Sequence, residues 1–305
     1  MAGHHHHISS DSGDARVFWA VAVNLVLTAA QVVGGLLSGS LALIADALHN
    51  FSDAISLIIA FVARKVARRP VDDKMTFGYG RAEMVSALVN YTTLIVIGFY
   101  LVYEAILRFT DPQGIDGKLV LIIAGIALVV DLATAALTYS LSKQSMNIRA
   151  AFLHNVADAL GSIAVIVAGT LVLLYDWNFV DPLVTLLIAG YILWISFNEV
   201  GSVIRILMLG SPPDIDTQSV LKEIRATTGV SSVHQLHLWQ MQEHENALDA
   251  HIVIEPGEWK NADTIKEIVK RALHERFSIS HTTLEIECSA HTCSDPWIIG
   301  HRSLQ

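Results

Sequence analysis

Two stretches decide how this chain folds: LIADALHNFSDAIS at 43–56 and RAAFLHNVADALGS at 149–162. Each holds the pattern His-Asn-x-x-Asp-Ala, once as His49, Asn50, Asp53 and Ala54, and again as His154, Asn155, Asp158 and Ala159. A spacing of four sets imidazole and carboxylate one turn apart on one face of a helix. Both pairs lie in apolar surroundings. From 17 to 63 the only ionisable side chains are Asp46, His49 and Asp53, and from 150 to 174 they are His154 and Asp158. From 119 to 141 only Asp131 stands out, Tyr139 aside. An apolar helix of about 20 residues spans a bilayer.

The whole chain agrees. Of its 305 residues, 52% are hydrophobic and only 16% charged, with a mean hydropathy of +0.48. A soluble domain carries about 25% charged residues. Disorder, collagen and nucleic-acid binding are excluded, the last also by a net charge of −9. Two cysteines build no disulfide framework, and no cleavable signal peptide is visible in the polar, His-rich first residues. Six spans are expected at 16–38, 41–63, 81–107, 118–141, 149–175 and 181–204. Loop charge sets their orientation. The second-to-third connection carries Arg64, Lys65, Arg68, Arg69 and Lys74, and the fourth-to-fifth Lys143 and Arg149, whereas the first-to-second and fifth-to-sixth carry no Lys or Arg. Both termini are therefore expected in the cytosol.

The composition changes after Gly210-Ser211-Pro212-Pro213. A helical spacing at 214–228, alternating segments at 232–242 and 247–255, a helix at 261–277 capped by Asn261 or Asp263, and a third strand at 281–288 give the order αββαβ. The expected class is a polytopic α-helical membrane protein of six transmembrane helices followed by a small cytosolic α+β domain. The expected boundaries are a polar tail at 1–15, the membrane domain at 16–209, the cytosolic domain at 210–290 and a tail at 291–305.

Two helix faces of this kind can converge with two imidazoles and two carboxylates, His49, Asp53, His154 and Asp158. Four N/O ligands in a tetrahedron suit Zn²⁺. Two carboxylates and a dication sum to zero charge, whereas an uncompensated Asp at mid-membrane costs about 2.5–3.5 kcal/mol. A single His-Asp pair is equally a local or interhelical hydrogen bond; the duplication favours metal. Asp46 lies one turn before His49 but has Ala151 as its counterpart, so it is either a supporting or entry-path group or a packing residue. Asp131 either relays protons or makes a structural hydrogen bond. Gly34, Gly35 and Gly39 permit close helix contact.

Of 14 histidines, eight lie between 234 and 301, where His244, His274 and His301 read as surface residues. Cys288 and Cys293 form a C-x₄-C pair, reduced in the cytosol, that can add thiolates. His4–His7 is either a metal-collecting tail or an added tag.

The runs SGSLALIADALHNFSDAISL (38–57), FGYGRAE (77–83), FLHNVADALGS (152–162), VSSVHQLHLW (230–239), AHIVIE (250–255) and HTTLEIE (281–287) resemble the cation diffusion facilitator family, most closely its bacterial zinc-exporter and animal zinc-transporter branch. The resemblance covers about residues 16–294. It implies a homodimeric exporter of Zn²⁺ from the cytosol in exchange for protons, in a bacterial inner membrane, with a ferredoxin-like dimerising C-terminal domain. It also implies transport ligands at His49, Asp53, His154 and Asp158, and a C-terminal zinc site at His234, His251 and Glu287. The chain departs from animal members in lacking a long His-rich connection between the fourth and fifth spans. Zn²⁺ as cargo, and as a regulatory or structural ion, is the expected metal; Cd²⁺, Co²⁺, Mn²⁺ and Fe²⁺ are alternatives. An intramembrane protease is excluded by the absence of His-Glu-x-x-His. A passive channel or a sensor remains a rival, although a channel should not bind its ion so deeply.

Overall fold

The computed structural model describes residues 25–142, 146–242, 245–293 and 297–300, with side chains of 137–155 and Leu57 outside the description. The chain forms two compact units, one of 1–62 with 89–200 and one of 63–88 with 201–305.

The first unit is built on helices α1 (Leu25–Ser38), α2 (Leu41–Ala67), α3 (Ala82–Thr110), α4 (Gly117–Ser142), α5 (Met146–Tyr175) and α6 (Val180–Leu207). Five of them, α2 to α6, are long and apolar enough to cross a membrane, and α1 is a shorter apolar helix whose expected beginning at residue 16 lies outside the described residues. Each of α2 to α6 runs past at least one of its expected ends by one to four residues, while α3 begins one residue inside its expected start. Hydropathy marks the bilayer core, whereas the backbone ladder continues into the polar flanks until a breaker stops it.

Small residues sit where helices meet. Ala42, Leu43, Val120, Ala124, Val165 and Ala168 form one buried cluster, and Leu41, Ala45, Leu101, Ala105 and Ala189 another. Gly34 faces Ile123 and Gly35 faces Ile44, as packing glycines. Large side chains such as Val129, Leu187 and Trp194 point outward, as lipid-facing residues do. Gly39 turns the chain between α1 and α2 with φ +73°, a conformation that suits Gly. The freed N–H groups at the start of α2 are then met from far along the sequence. Buried Asp181 accepts from Leu41 N at 2.7 Å and Ala42 N at 3.3 Å, and from the Ser40 hydroxyl. A carboxylate there also complements the helix dipole.

The second unit contains α7 (Thr217–Arg225), β1 (Val230–Gln242), β2 (Glu245–Ile254), a 3₁₀ turn (Glu258–Asn261), α8 (Ala262–Phe277) and β3 (Ile279–Cys288). The order αββαβ is as expected. β2 is central, antiparallel to β1 and parallel to β3, with α8 as the crossover. Leu248, Ala250, Ile252 and Ile254 alternate toward one face of β2, where Val220, Leu221, Ile224, Ile265, Val269 and Leu273 of the two helices cover them. Period two along the strands leaves the other face to the odd-numbered residues of β2.

Asp216 caps α7, accepting from Gln218 N and Ser219 N. Of the two caps expected for α8, Asn261 holds the cap position, though its side chain makes no cap hydrogen bond; its amide nitrogen donates to Glu258 in the 3₁₀ turn that feeds the helix, and Asp263 pairs with Lys266. Residues 63–88 join this unit. Asp72 organises their turn, accepting from Lys74 N, Met75 N and the Tyr79 hydroxyl, and Arg81 Nε donates to the Met241 carbonyl at 3.3 Å.

Candidate metal centres

The faces of α2 and α5 that carry the repeated motif converge. His49 Nε2 lies 3.6 Å from Asp53 Oδ2, one turn along its own helix, and 3.6 Å from Asp158 Oδ1 on α5. One donor atom from each of the three can be chosen so that all lie within 4.8 Å of one another. His154 lies on α5 one turn before Asp158, but its side chain is outside the described residues. Asp46 sits beside this group and is buried. Gln31 of α1 donates to Asp46 Oδ2 at 2.6 Å, and Asn50 donates to Gln31 Oε1 at 3.2 Å. Gly161 on α5 makes room for it: a Cβ there would stand 3.2 Å from Asp46 Oδ1. Asp131 of α4 accepts from the buried Ser162 hydroxyl of α5 at 3.0 Å. Sequence reasoning missed Gln31. Its signal was a lone amide in an apolar helix, one turn before the Gly34-Gly35 contact.

A second group lies on the uncovered sheet face. His234 and His251 are register partners across β1 and β2, and Glu287 comes from β3. His234 Nε2 is 3.4 Å from Glu287 Oε1, and His251 Nδ1 is 2.6 Å from the same oxygen. The other His251 nitrogen, Nε2, faces Glu285 at 3.5 Å. His234 is 3% exposed and Glu287 9%, yet His234 Nε2 and Glu287 Oε2 find no hydrogen-bond partner among the described residues. A metal ion would supply what these buried atoms lack.

Burial works to raise the Glu287 carboxyl. The His251 hydrogen bond and the charges of both histidines outweigh it and hold the group below the ordinary glutamate range.

The two cysteines part company. Cys293 Sγ stands 3.6 Å from Glu287 Oε1 and joins His234, His251 and Glu287 in one cluster. Burial, and then the charge of Glu287, push its thiol up. Cys288 follows Glu287 on β3, so its side chain takes the opposite face. It is not brought to the cluster and instead meets His291 Nδ1 at 3.2 Å, a contact that lowers its thiol. The expectation that Cys288 adds a ligand there is corrected by strand parity.

A bundle of membrane-spanning helices with a His/Asp group shared between two of them, joined to a small α+β unit with its own His/Glu group, defines a metal-cation transporter of the membrane rather than an enzyme. The chain belongs to the cation diffusion facilitator family: the family model described as the cation efflux transmembrane domain matches residues 17–208, and that of the cation efflux protein cytoplasmic domain matches 212–289. Among similar proteins, the cadmium, cobalt and zinc/H⁺-K⁺ antiporter of Bacillus subtilis is 36% identical over 86% of this chain and 85% of its own. The metal cation efflux system protein CzcD of Cupriavidus metallidurans is 32% identical over 99% and 98%. The zinc transporter ZitB of Escherichia coli is 31% identical over 99% and 98%. A solved structure of the metal-bound C-terminal domain of the CzcD transporter from Cupriavidus metallidurans is 32% identical, covers 24% of this chain and 99% of its own, and has a TM-score of 0.23.

Proposed function

We propose that this metal exporter carries Zn²⁺ out of the cytosol in exchange for protons, working as a homodimer in a bacterial inner membrane with both termini cytosolic. The cargo is held by His49, Asp53, His154 and Asp158. One observation carries the proposal: carboxylates of two different helices, α2 and α5, stand 3.6 Å from the same His49 nitrogen. Two carboxylates neutralise a dication, so the loaded site is cheap in a low dielectric. Metal affinity falls when ligands protonate, and imidazole titrates near pH 6.5 unperturbed. A His/Asp site therefore exchanges metal for protons in the physiological range as access alternates. Protonation also avoids returning an empty, doubly charged site through the bilayer.

Asp46, held by Gln31, steadies the ligand face of α2. Asp131, held by Ser162, ties α4 to α5. In the cytosolic unit, zinc bound by His234, His251 and Glu287 pins the three strands together. The second family match, to a cytoplasmic domain of the zinc-transporter dimer type, supports dimerisation through this unit.

Zinc uptake into proteoliposomes, with and without a pH gradient, tests the proposal. An antiporter speeds up with the gradient, a channel follows metal alone, and a sensor moves nothing. The relatives named for cadmium and cobalt as well as zinc favour a second reading, a broader set of divalent cargoes. The same assay with Cd²⁺, Co²⁺, Mn²⁺ and Fe²⁺ separates the two.

A further inference from the structure

We propose that Cys293 is the fourth ligand of the cytosolic cluster, so that the C-terminal tail completes a His₂-Glu-Cys site for a borderline or soft divalent cation, Zn²⁺ or Cd²⁺. The proposal rests on the reading that His234, His251 and Glu287 hold metal, and it adds what closes the site.

Geometry comes first. Bond lengths of about 2.0–2.1 Å to N or O and 2.3 Å to S, in a tetrahedron, set ligand atoms roughly 3.3–3.6 Å apart. His234 Nε2 to Glu287 Oε1 is 3.4 Å and Cys293 Sγ to Glu287 Oε1 is 3.6 Å. The 2.6 Å contact from His251 Nδ1 to Glu287 Oε1 is a hydrogen-bond distance, which lengthens when metal replaces the proton. With Nδ1 on the metal, His251 Nε2–H faces Glu285, the kind of outer partner that fixes a ligating imidazole. Nδ1 is thus the metal-facing nitrogen of His251, and Glu285 its positioning residue.

Charge comes second. A carboxylate and a thiolate with two neutral imidazoles cancel a dication, whereas the three-residue cluster without sulfur leaves +1 on a buried ion. Third is the placement of the tail. The matched cytoplasmic domain ends at residue 289, and Cys293 lies beyond it. The segment after it returns along the free edge of β1: Gln235 N donates to Trp297 O at 2.7 Å, Leu236 N to Ile298 O at 3.1 Å, and Gly300 N to Leu236 O at 3.0 Å. The docking point adjoins His234, in a β-bulge where Gln235 takes φ +50°. Metal at Cys293 and tail docking on β1 therefore favour each other.

Cobalt substitution of the full-length protein in detergent reads this directly, because the transmembrane site offers no sulfur. Parent protein loaded with Co²⁺ should show a near-ultraviolet sulfur-to-cobalt charge-transfer band. Cys288→Ser should keep it. Cys293→Ser should lose it and weaken cobalt affinity at the site by at least about tenfold, the scale on which even outer partners act. Cys293→Asp, which restores a negative ligand, should bind cobalt without the band. A band that survives in Cys293→Ser, disappears in Cys288→Ser, or is missing from a parent that binds cobalt at His234 and His251 overturns the assignment of Cys293. Cobalt stoichiometry unchanged in a His234→Ala/His251→Ala variant overturns the cluster itself.

Discussion

The two candidate metal centres draw on similar side chains set on opposite kinds of scaffold. His49, Asp53 and Asp158 sit on α2 and α5, which share no backbone hydrogen bond, whereas His234, His251 and Glu287 sit on three strands zipped to one another. Helices can part by repacking apolar side chains, and a site split between them can be opened and remade. Parting strands breaks a ladder of backbone hydrogen bonds, each costly to leave unmade when buried. A transported ion needs the first scaffold, and an ion that steadies the structure suits the second.

The strongest way to break this contrast is to exchange the consequences of mutation. Asp53→Ala or Asp158→Ala should abolish zinc transport while the dimer stays folded, since each removes half the compensating charge. The His234→Ala/His251→Ala variant should still transport. Zinc flux into vesicles decides, and loss of flux in the second variant would merge the two roles.

Next in size is the effect on the sheet. Zinc binding to the folded state alone contributes about 2.7 kcal/mol at a hundredfold excess over Kd. Hydrogen exchange of β2 amides in the full-length protein should therefore slow by about a hundredfold with zinc in the parent and not in the double variant. Equal protection in both would remove the cytosolic site and leave the transmembrane one standing.

The metal-free sheet sharpens the comparison through pH. Glu287 is held below the ordinary glutamate range, so it stabilises the folded state fully above that range. The contribution is lost as pH falls through the lower folded value. Parent and Glu287→Gln should thus differ in stability at neutral pH and converge in acid. A gap that widens on acidification contradicts the assigned sign.

The smallest effect belongs to the turn at 72–79. Tyr79→Phe removes one exposed hydrogen bond to Asp72 and should leave the melting temperature almost unchanged, because water replaces an exposed partner, with transport intact. A loss of transport would show that this turn, which packs with the sheet unit, works on more than stability.

Much of this was legible in the sequence because two periodicities are simple. Spacing by four, twice over, announced the helix-borne site before any contact was known. Alternation announced the strands, and once β2 pairs with both neighbours, His234, His251 and Glu287 must share a face. Contacts between residues distant in sequence were not legible. Asp181 caps a helix that begins 140 residues earlier, at Leu41, and Gln31 anchors Asp46 from another helix. The bulge at Gln235, which lets Val233 face the core on one side of it and Leu236 on the other, depends on the strand pairing and the docked tail. The C-x₄-C spacing treated both cysteines alike, although parity beside Glu287 already sends Cys288 away.

Zinc bound per chain, measured at equilibrium on the full-length protein and on Asp53→Asn/Asp158→Asn, tests most directly that the α2 and α5 faces form one ion site. The double variant should bind one zinc fewer than the parent and show no transport. A variant that binds as much zinc as the parent, or still moves it, would contradict a site built from these carboxylates.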